Sequence, residues 1–175
     1  MSAADQGWLD PATWERVQQI VPIVCVDVMA VRVKAGVEVG LILRETPHEG
    51  RRWCLVGGRL RRGESLSHAV LREVDSALGP GLLESQWSGR ASSIVEYAPE
   101  PAGIGPHDPR KHAIGLTYVV ELLGEPQPRN EALDFAWFAR AELPTAGFGQ
   151  RGVIEGLLSQ VEAERRGDSA SGRVC

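Results

Sequence analysis

The segment Gly57 to Gly79, GGRLRRGESLSHAVLREVDSALG, holds the densest set of chemically capable residues in the chain. Gly57 and Gly58 open it, Glu64 follows Gly58 after five residues, and Arg72-Glu73 follows after seven more. Adjacent glycines let backbone approach a ligand closely. An arginine fork matches carboxylate or phosphate oxygens, and carboxylates suit hard cations. On a helix at about 100° per residue, positions 73, 76 and 77 share one face within roughly 100°, while Asp75 lies roughly 200° from Glu73. Ser76 and Ala77 occupy that face, so Glu73 is its one carboxylate. Elsewhere, Asp27 interrupts an apolar run and needs a partner, because a buried charge is costly alone. Arg44 and Arg59 stand at strand ends and read as phosphate forks, with solvated charges as the alternative. His107 and His112 are of the residue type suited to proton transfer, or are ordinary loop residues. Arg61 and Arg62 read as surface charges.

These residues need elements to hold them. Asp10-Pro11 predicts a helix start, with the helix running to about Ile20 and carrying Trp14 and Val17 on one side. Residues 21–33 are β-branched and nearly continuously apolar, as in a strand buried on both faces. Residues 37–45 form the paired strand, 46–52 a polar loop, and 53–56 a short strand entering the glycine pair. Helical spacing predicts a helix over 65–78, stopped by Gly79-Pro80-Gly81. Further strands are predicted at 91–98, 112–124 and 134–139, and an amphipathic helix at 150–164. The Gly/Pro-rich loop 99–110 is long enough for a binding role. Trp53, Trp137 and Tyr118 read as core, Trp87 and Tyr97 less clearly so, and Cys25 and Cys54 as small buried apolar residues. This order of elements predicts one α/β domain over 1–164, with a disordered tail at 165–175.

Bulk properties narrow the function classes. The 175 residues carry 19 Lys and Arg against 23 Asp and Glu, a net charge of -4 that argues against broad capture of nucleic acid. No run approaches membrane length. Cys25, Cys54 and Cys175 form no metal-ligand spacing, and an odd count without a secretory signal points to reduced thiols and a cytoplasmic protein.

The glycine-to-helix segment resembles the Nudix box, G-x5-E-x7-R-E-U-x-E-E-x-G-U, through Gly58, Glu64, Arg72, Glu73, Val74 and Gly79. It departs at Ser76 and Ala77, where the box has its last two acids, and so is degenerate. The resemblance implies a Nudix-type α/β/α sandwich with a mixed sheet, holding a divalent metal against a diphosphate. It implies Gly58 and Glu73 as ligands of Mg2+ or Mn2+, and Glu64 as the acid that fixes Arg72. A distal Glu of many Nudix hydrolases is matched by Glu131 before DFAWF, as further metal ligand or base. One ion is the implied complement.

In layout the chain is most similar to GDP-mannose mannosyl hydrolase-like members. The shared features are WLDPATWERVQQIVPIVCVDV with its acid at Asp27, LILR ending at Arg44, and the GGR ending at Arg59. There Arg44 and Arg59 would assist departure of the nucleoside diphosphate. That branch's helix acid and base histidine fall on Ala77 and Ala132. Asp108-Pro109-Arg110 resembles a segment of ADP-ribose-type Nudix proteins and adds Arg110, with His112 beside it, as substrate-binding.

The expectation is thus a metal-dependent hydrolase of a nucleoside diphosphate linked to another moiety, a nucleotide sugar or ADP-ribose-like compound. Glu73, Glu131, Arg59 and Arg44 would be catalytic, with Glu131 or His112 as base. Asp27, Arg44, Arg59, Arg110 and His112 would bind substrate. The alternative is a catalytically impaired Nudix-fold module that binds a nucleotide or regulates a partner. The resemblance also implies a homodimer.

Overall fold

In the computed structural model, which describes residues 9–100 and 105–171, Asp10 caps the first helix by accepting the Thr13 amide at 3.0 Å. With Pro11 at its first position, α1 runs Pro11–Ile20. The strands follow as β1 (Ile23–Val33), β2 (Val37–Thr46), β3 (Gly50–Cys54) and β4 (Val56–Arg59). Helix α2 (Leu66–Leu78) leads to β5 (Ser93–Tyr97), β6 (Ala113–Glu121) and β7 (Asp134–Ala139). Helix α3 (Arg151–Ser171) ends the described chain. Short 3-10 turns lie at Arg140–Glu142 and Gly147–Gly149.

The strands form one mixed seven-stranded sheet, ordered β3-β2-β1-β6-β5, with β4 also pairing β1 and β7 also pairing β2. Among the described strand pairs, β1/β6 alone is parallel, in register from Ile23 opposite Ala113 to Val31 opposite Glu121. Alternation along β1 divides the core. Val26, Val28 and Ala30 join Ala69, Val70, Val74 and Leu78 of α2 in one cluster. Met29 and Val31 point the other way and join Ile154, Leu157 and Leu158 of α3. Burying each Val, Ile, Leu or Met side chain of these clusters stabilises the fold by roughly 1.5–3 kcal/mol, which explains the nearly continuous apolar run in β1. The architecture is the α/β/α sandwich expected from the sequence. No described helix is long and apolar enough to cross a membrane.

Two boundaries differ from the sequence expectation. Residues 53–56 are not one strand: β3 begins at Gly50 inside the expected loop, and the chain changes partners at Leu55. Strand β3 pairs β2, while β4 pairs β1. Helix α3 does not stop at 164 but continues to Ser171. The ion pair of Arg165 with Glu121 of β6 ties that extension to the sheet, a contact that local polarity does not reveal. Residues 101–104 of the expected loop and 172–175 of the tail lie outside the described residues.

Candidate functional site

Antiparallel pairing with β1 sets Gly57 opposite Asp27, Gly58 opposite Val26 and Arg59 opposite Cys25. Beyond Arg59 the chain is folded back by Glu64, whose Oε2 accepts the Arg61 amide at 3.1 Å. Ser65 starts α2 by accepting the His68 amide, and α2 returns Arg72 to the loop. Arg72 grips Glu64 as a fork, Nε to Oε1 at 2.7 Å and Nη2 to Oε2 at 2.9 Å. The same Nη2 donates to the Arg59 carbonyl at 3.1 Å, and Nη1 pairs with Glu73. Burial pushes the Glu64 carboxyl up, but Arg72 and the Arg61 amide outweigh it and hold it below the usual range. Hydrogen bonding to Glu64 raises the Arg72 guanidinium further, so this pair stays ionised. A Cβ at position 58 would lie 2.2 Å from Glu73 Oε1, so only glycine leaves the Glu73 carboxylate its room.

These elements surround a cavity of about 400 Å³. Arg44, Arg59, Arg61, Arg72, Arg110 and Lys111 line it, against the acids Asp27, Glu73, Asp108 and Glu131. A chain of net charge -4 thus concentrates an excess of cations at one place. Arg44 pairs with Glu131 at 2.8 Å, yet its buried Nε has no hydrogen-bond partner among the described residues. Burial pushes the Glu131 carboxyl above the usual range, with Arg44 opposing and Glu73 adding to the rise. Arg110 is held in a fork by the buried Asp108, at 2.8 and 2.7 Å.

Asp27 sits in a slot between glycines. A Cβ at Gly57 would meet its Oδ1, and one at Gly115 its Oδ2, each at 2.5 Å. Tyr97 Oη donates to Asp27 Oδ2 at 3.0 Å and accepts from Gln150 Nε2 at 3.0 Å. Gln150 Oε1 in turn accepts the Leu55 amide at 3.1 Å, exactly where β3 gives way to β4. Burial raises the Asp27 carboxyl to about 6, only partly offset by the Tyr97 bond and Lys111. Cys25 lies at 3.9 Å from Lys111 Nζ, and burial raises its thiol to about 11, so it is no nucleophile near neutrality.

The cavity brings together Asp27, Arg44, Gly58, Arg59, Arg72, Glu73, Arg110 and Glu131, eight of the residues singled out in the sequence. Glu64 stands behind them, fixing Arg72. His112 is elsewhere: it pairs with Glu96 at 2.8 Å and does not line the cavity. His107 also stays out, its backbone bonded to Phe148 and bridged to Ala98. Arg61, read as a surface charge, lines the cavity because Glu64 turns its loop inward. Ala77 is buried in the core and Ser76 is bonded by Asn130, so neither position carries an acid into the site. Tyr97, less clearly core by sequence, is buried and holds Asp27. Trp14, Lys111, Asn130, Phe148 and Gln150 also line the cavity without having been singled out for it. For Lys111, its position beside Arg110 was the available signal; the others come together only through the fold.

A family model described as Domain of unknown function (DUF4916) matches residues 4–157. Among curated proteins no match was found. A solved structure from Jonesia denitrificans, described as a possible asymmetric diadenosine tetraphosphate hydrolase, is 31% identical with a TM-score of 0.71. That match covers 80% of this chain and 94% of the other. A MutT NUDIX hydrolase from Burkholderia pseudomallei is 27% identical over 71% of this chain and 88% of its own, with a TM-score of 0.54. The NUDIX domain of Shewanella oneidensis NrtR, solved with ADP ribose, is 18% identical with a TM-score of 0.63 and shares the fold. It covers 92% of this chain and 99% of its own.

Proposed function

Because the chain belongs to the DUF4916 family and to the Nudix superfamily, we propose that it hydrolyses a nucleoside diphosphate linked to a second moiety, a nucleotide sugar or an ADP-ribose-like compound. The observation that carries this reading is the cationic cavity in an acidic chain, with a buried Arg44 donor still unpartnered among the described residues. Arginine forks suit the oxygens of a diphosphate. The descriptions of the Jonesia and Shewanella proteins, which name a dinucleoside polyphosphate and ADP ribose, support a ligand of this class.

The donor set suits one hard cation. Gly58 leaves space that a Cβ would fill beside Glu73, and Glu131 faces a like charge in Glu73 that a cation would offset. Among the described residues no three His, Cys, Asp or Glu side chains are grouped to hold a metal, so an ion here would rest on fewer side-chain ligands. Glu73, Glu131 and the Gly58 carbonyl would hold one Mg2+ or Mn2+, with water and phosphate completing its shell. When bound, the ion would supply positive charge beside the diphosphate oxygens. Arg44 and Arg59 neutralise charge developing on the departing nucleoside diphosphate. Asp27 orients the substrate. Of the two candidate bases, Glu131 lines the cavity and His112, paired with Glu96, does not.

Chromatography of ADP-ribose, nucleotide sugars and diadenosine tetraphosphate incubated with Mg2+, Mn2+ or chelator tests this. Expected are turnover with the cation, none with chelator, and on the order of a hundredfold loss in Glu73→Gln. Absence of turnover under every condition overturns the enzymatic reading.

A second reading has its own support. Glu73 and Glu131 are each already paired with an arginine, and Ala77 is buried where the box has an acid. On that reading the protein is a nucleotide-binding or regulatory module. Nucleotide at a hundred times its Kd would then stabilise the fold by roughly 2.7 kcal/mol without being consumed.

A further inference from the structure

Two half-buried aromatic rings, Trp14 and Phe148, line the same cavity as the arginines. Trp14 comes from α1 and Phe148 from the turn Gly147–Gly149, yet both pack on the cluster of Ile23, Cys25, Val95, Tyr97 and Ala113. Helix α1 has no buried residue, so Trp14 is among its few points of attachment.

Phe148 is held in an unusual way. Its backbone has φ 55 and ψ 21, the left-handed region that bulky side chains avoid. Its amide donates to Glu49 Oε2 at 2.7 Å, and its carbonyl accepts the His107 amide at 3.0 Å. Flanking positions are closed to side chains: a Cβ at Gly147 would meet Cys54 Sγ at 2.8 Å, and one at Gly149 the Gly105 carbonyl oxygen at 2.3 Å. The surroundings therefore over-determine a strained position whose ring lines the cavity. Such strain concentrates where a ligand is gripped.

Each ring also has a planar cation beside it. The Arg59 guanidinium carbon lies 4.4 Å from the Trp14 centroid, and that of Arg110 5.9 Å from the Phe148 centroid. Nucleobases stack on aromatic rings and guanidinium planes alike.

We propose that Trp14 and Phe148 form a stacking subsite for the base of the nucleotide, with Arg59 and Arg110 joining that subsite to the diphosphate. The inference rests on the reading that the cavity takes a nucleoside diphosphate derivative. Stacking tolerates any base, because every base has a π-face. The subsite therefore selects a nucleotide over a diphosphate lacking a base.

Calorimetric titration of the full chain with ADP and with inorganic pyrophosphate tests the proposal. Wild type binds ADP more tightly than pyrophosphate. Trp14→Leu and Phe148→Leu each weaken ADP binding by roughly ten- to a hundredfold and leave pyrophosphate binding unchanged. Trp14→Phe and Phe148→Tyr restore ADP binding, which separates stacking from bulk. Equal losses for both probes, or unchanged ADP binding in both leucine variants, overturn the stacking subsite while leaving the cationic cradle intact. If a leucine variant fails to fold, equal wild-type affinity for ADP and pyrophosphate still overturns it. Wild type that binds neither probe overturns the nucleotide reading itself.

Discussion

Asp27 receives its hydrogen bond from a tyrosine, inside a slot that two glycines leave open. Its carboxyl titrates at about 6, against an ordinary 3.8, because burial disfavours the charge. The native state therefore binds a proton more tightly than the unfolded chain. Asp27 contributes stability that is complete below pH 4 and is lost as pH rises through 6. The span of that loss is about 3 kcal/mol. Asp27→Asn should thus melt like wild type near pH 4 and markedly higher at pH 7 to 8, in thermal unfolding across that range. Gly58→Ala is expected to act on chemistry instead, since its Cβ would press on Glu73. Displacing that carboxylate should lower kcat/KM on the order of a hundredfold in steady-state assays. At this scale the sequence was informative where partners lie close along the chain. Glu64 and Arg72 are eight residues apart, and their pairing is what the resemblance to the Nudix box implied. Arg61 was not, because its direction depends on how Glu64 folds the loop.

Helix α2 is the element that gathers the site, since it carries Arg72 and Glu73 while burying Ala69, Val70, Val74, Ala77 and Leu78. Its start depends on Ser65, whose Oγ accepts the His68 amide at 3.2 Å. Ser65→Ala should cost about 1 kcal/mol in urea unfolding. A helix period and a glycine stop made α2 readable, as the apolar run did for β1. The break at Leu55 was not readable, because Trp53 to Val56 is uniformly apolar and only pairing with different neighbours divides it. The length of α3 was hidden for a similar reason: Arg165 reaches Glu121 on a distant strand.

Across the whole molecule, the cavity draws on residues from Trp14 to Gln150. Asp27 and Tyr97 are 70 residues apart, and Leu55 and Gln150 are 95 apart, so these contacts exist only in the assembled fold. This is why Trp14, Phe148 and Gln150 escaped a linear reading. Charge is partitioned on the same scale, with cations gathered at the cavity of an acidic chain. ADP binding should therefore weaken severalfold as salt rises from about 0.05 to 0.5 M, measured by titration. Duplex DNA should show no comparable binding in a mobility-shift assay. The hydrogen bond from the Leu55 amide to Gln150 has a consequence for observation. Because this amide answers to a side chain rather than to a neighbouring strand, deuterium uptake at that one position reads whether the Gln150–Tyr97–Asp27 relay is closed. Gln150→Ala should speed its exchange by orders of magnitude while the flanking strand amides keep their protection, making Leu55 a built-in isotopic gauge of the site.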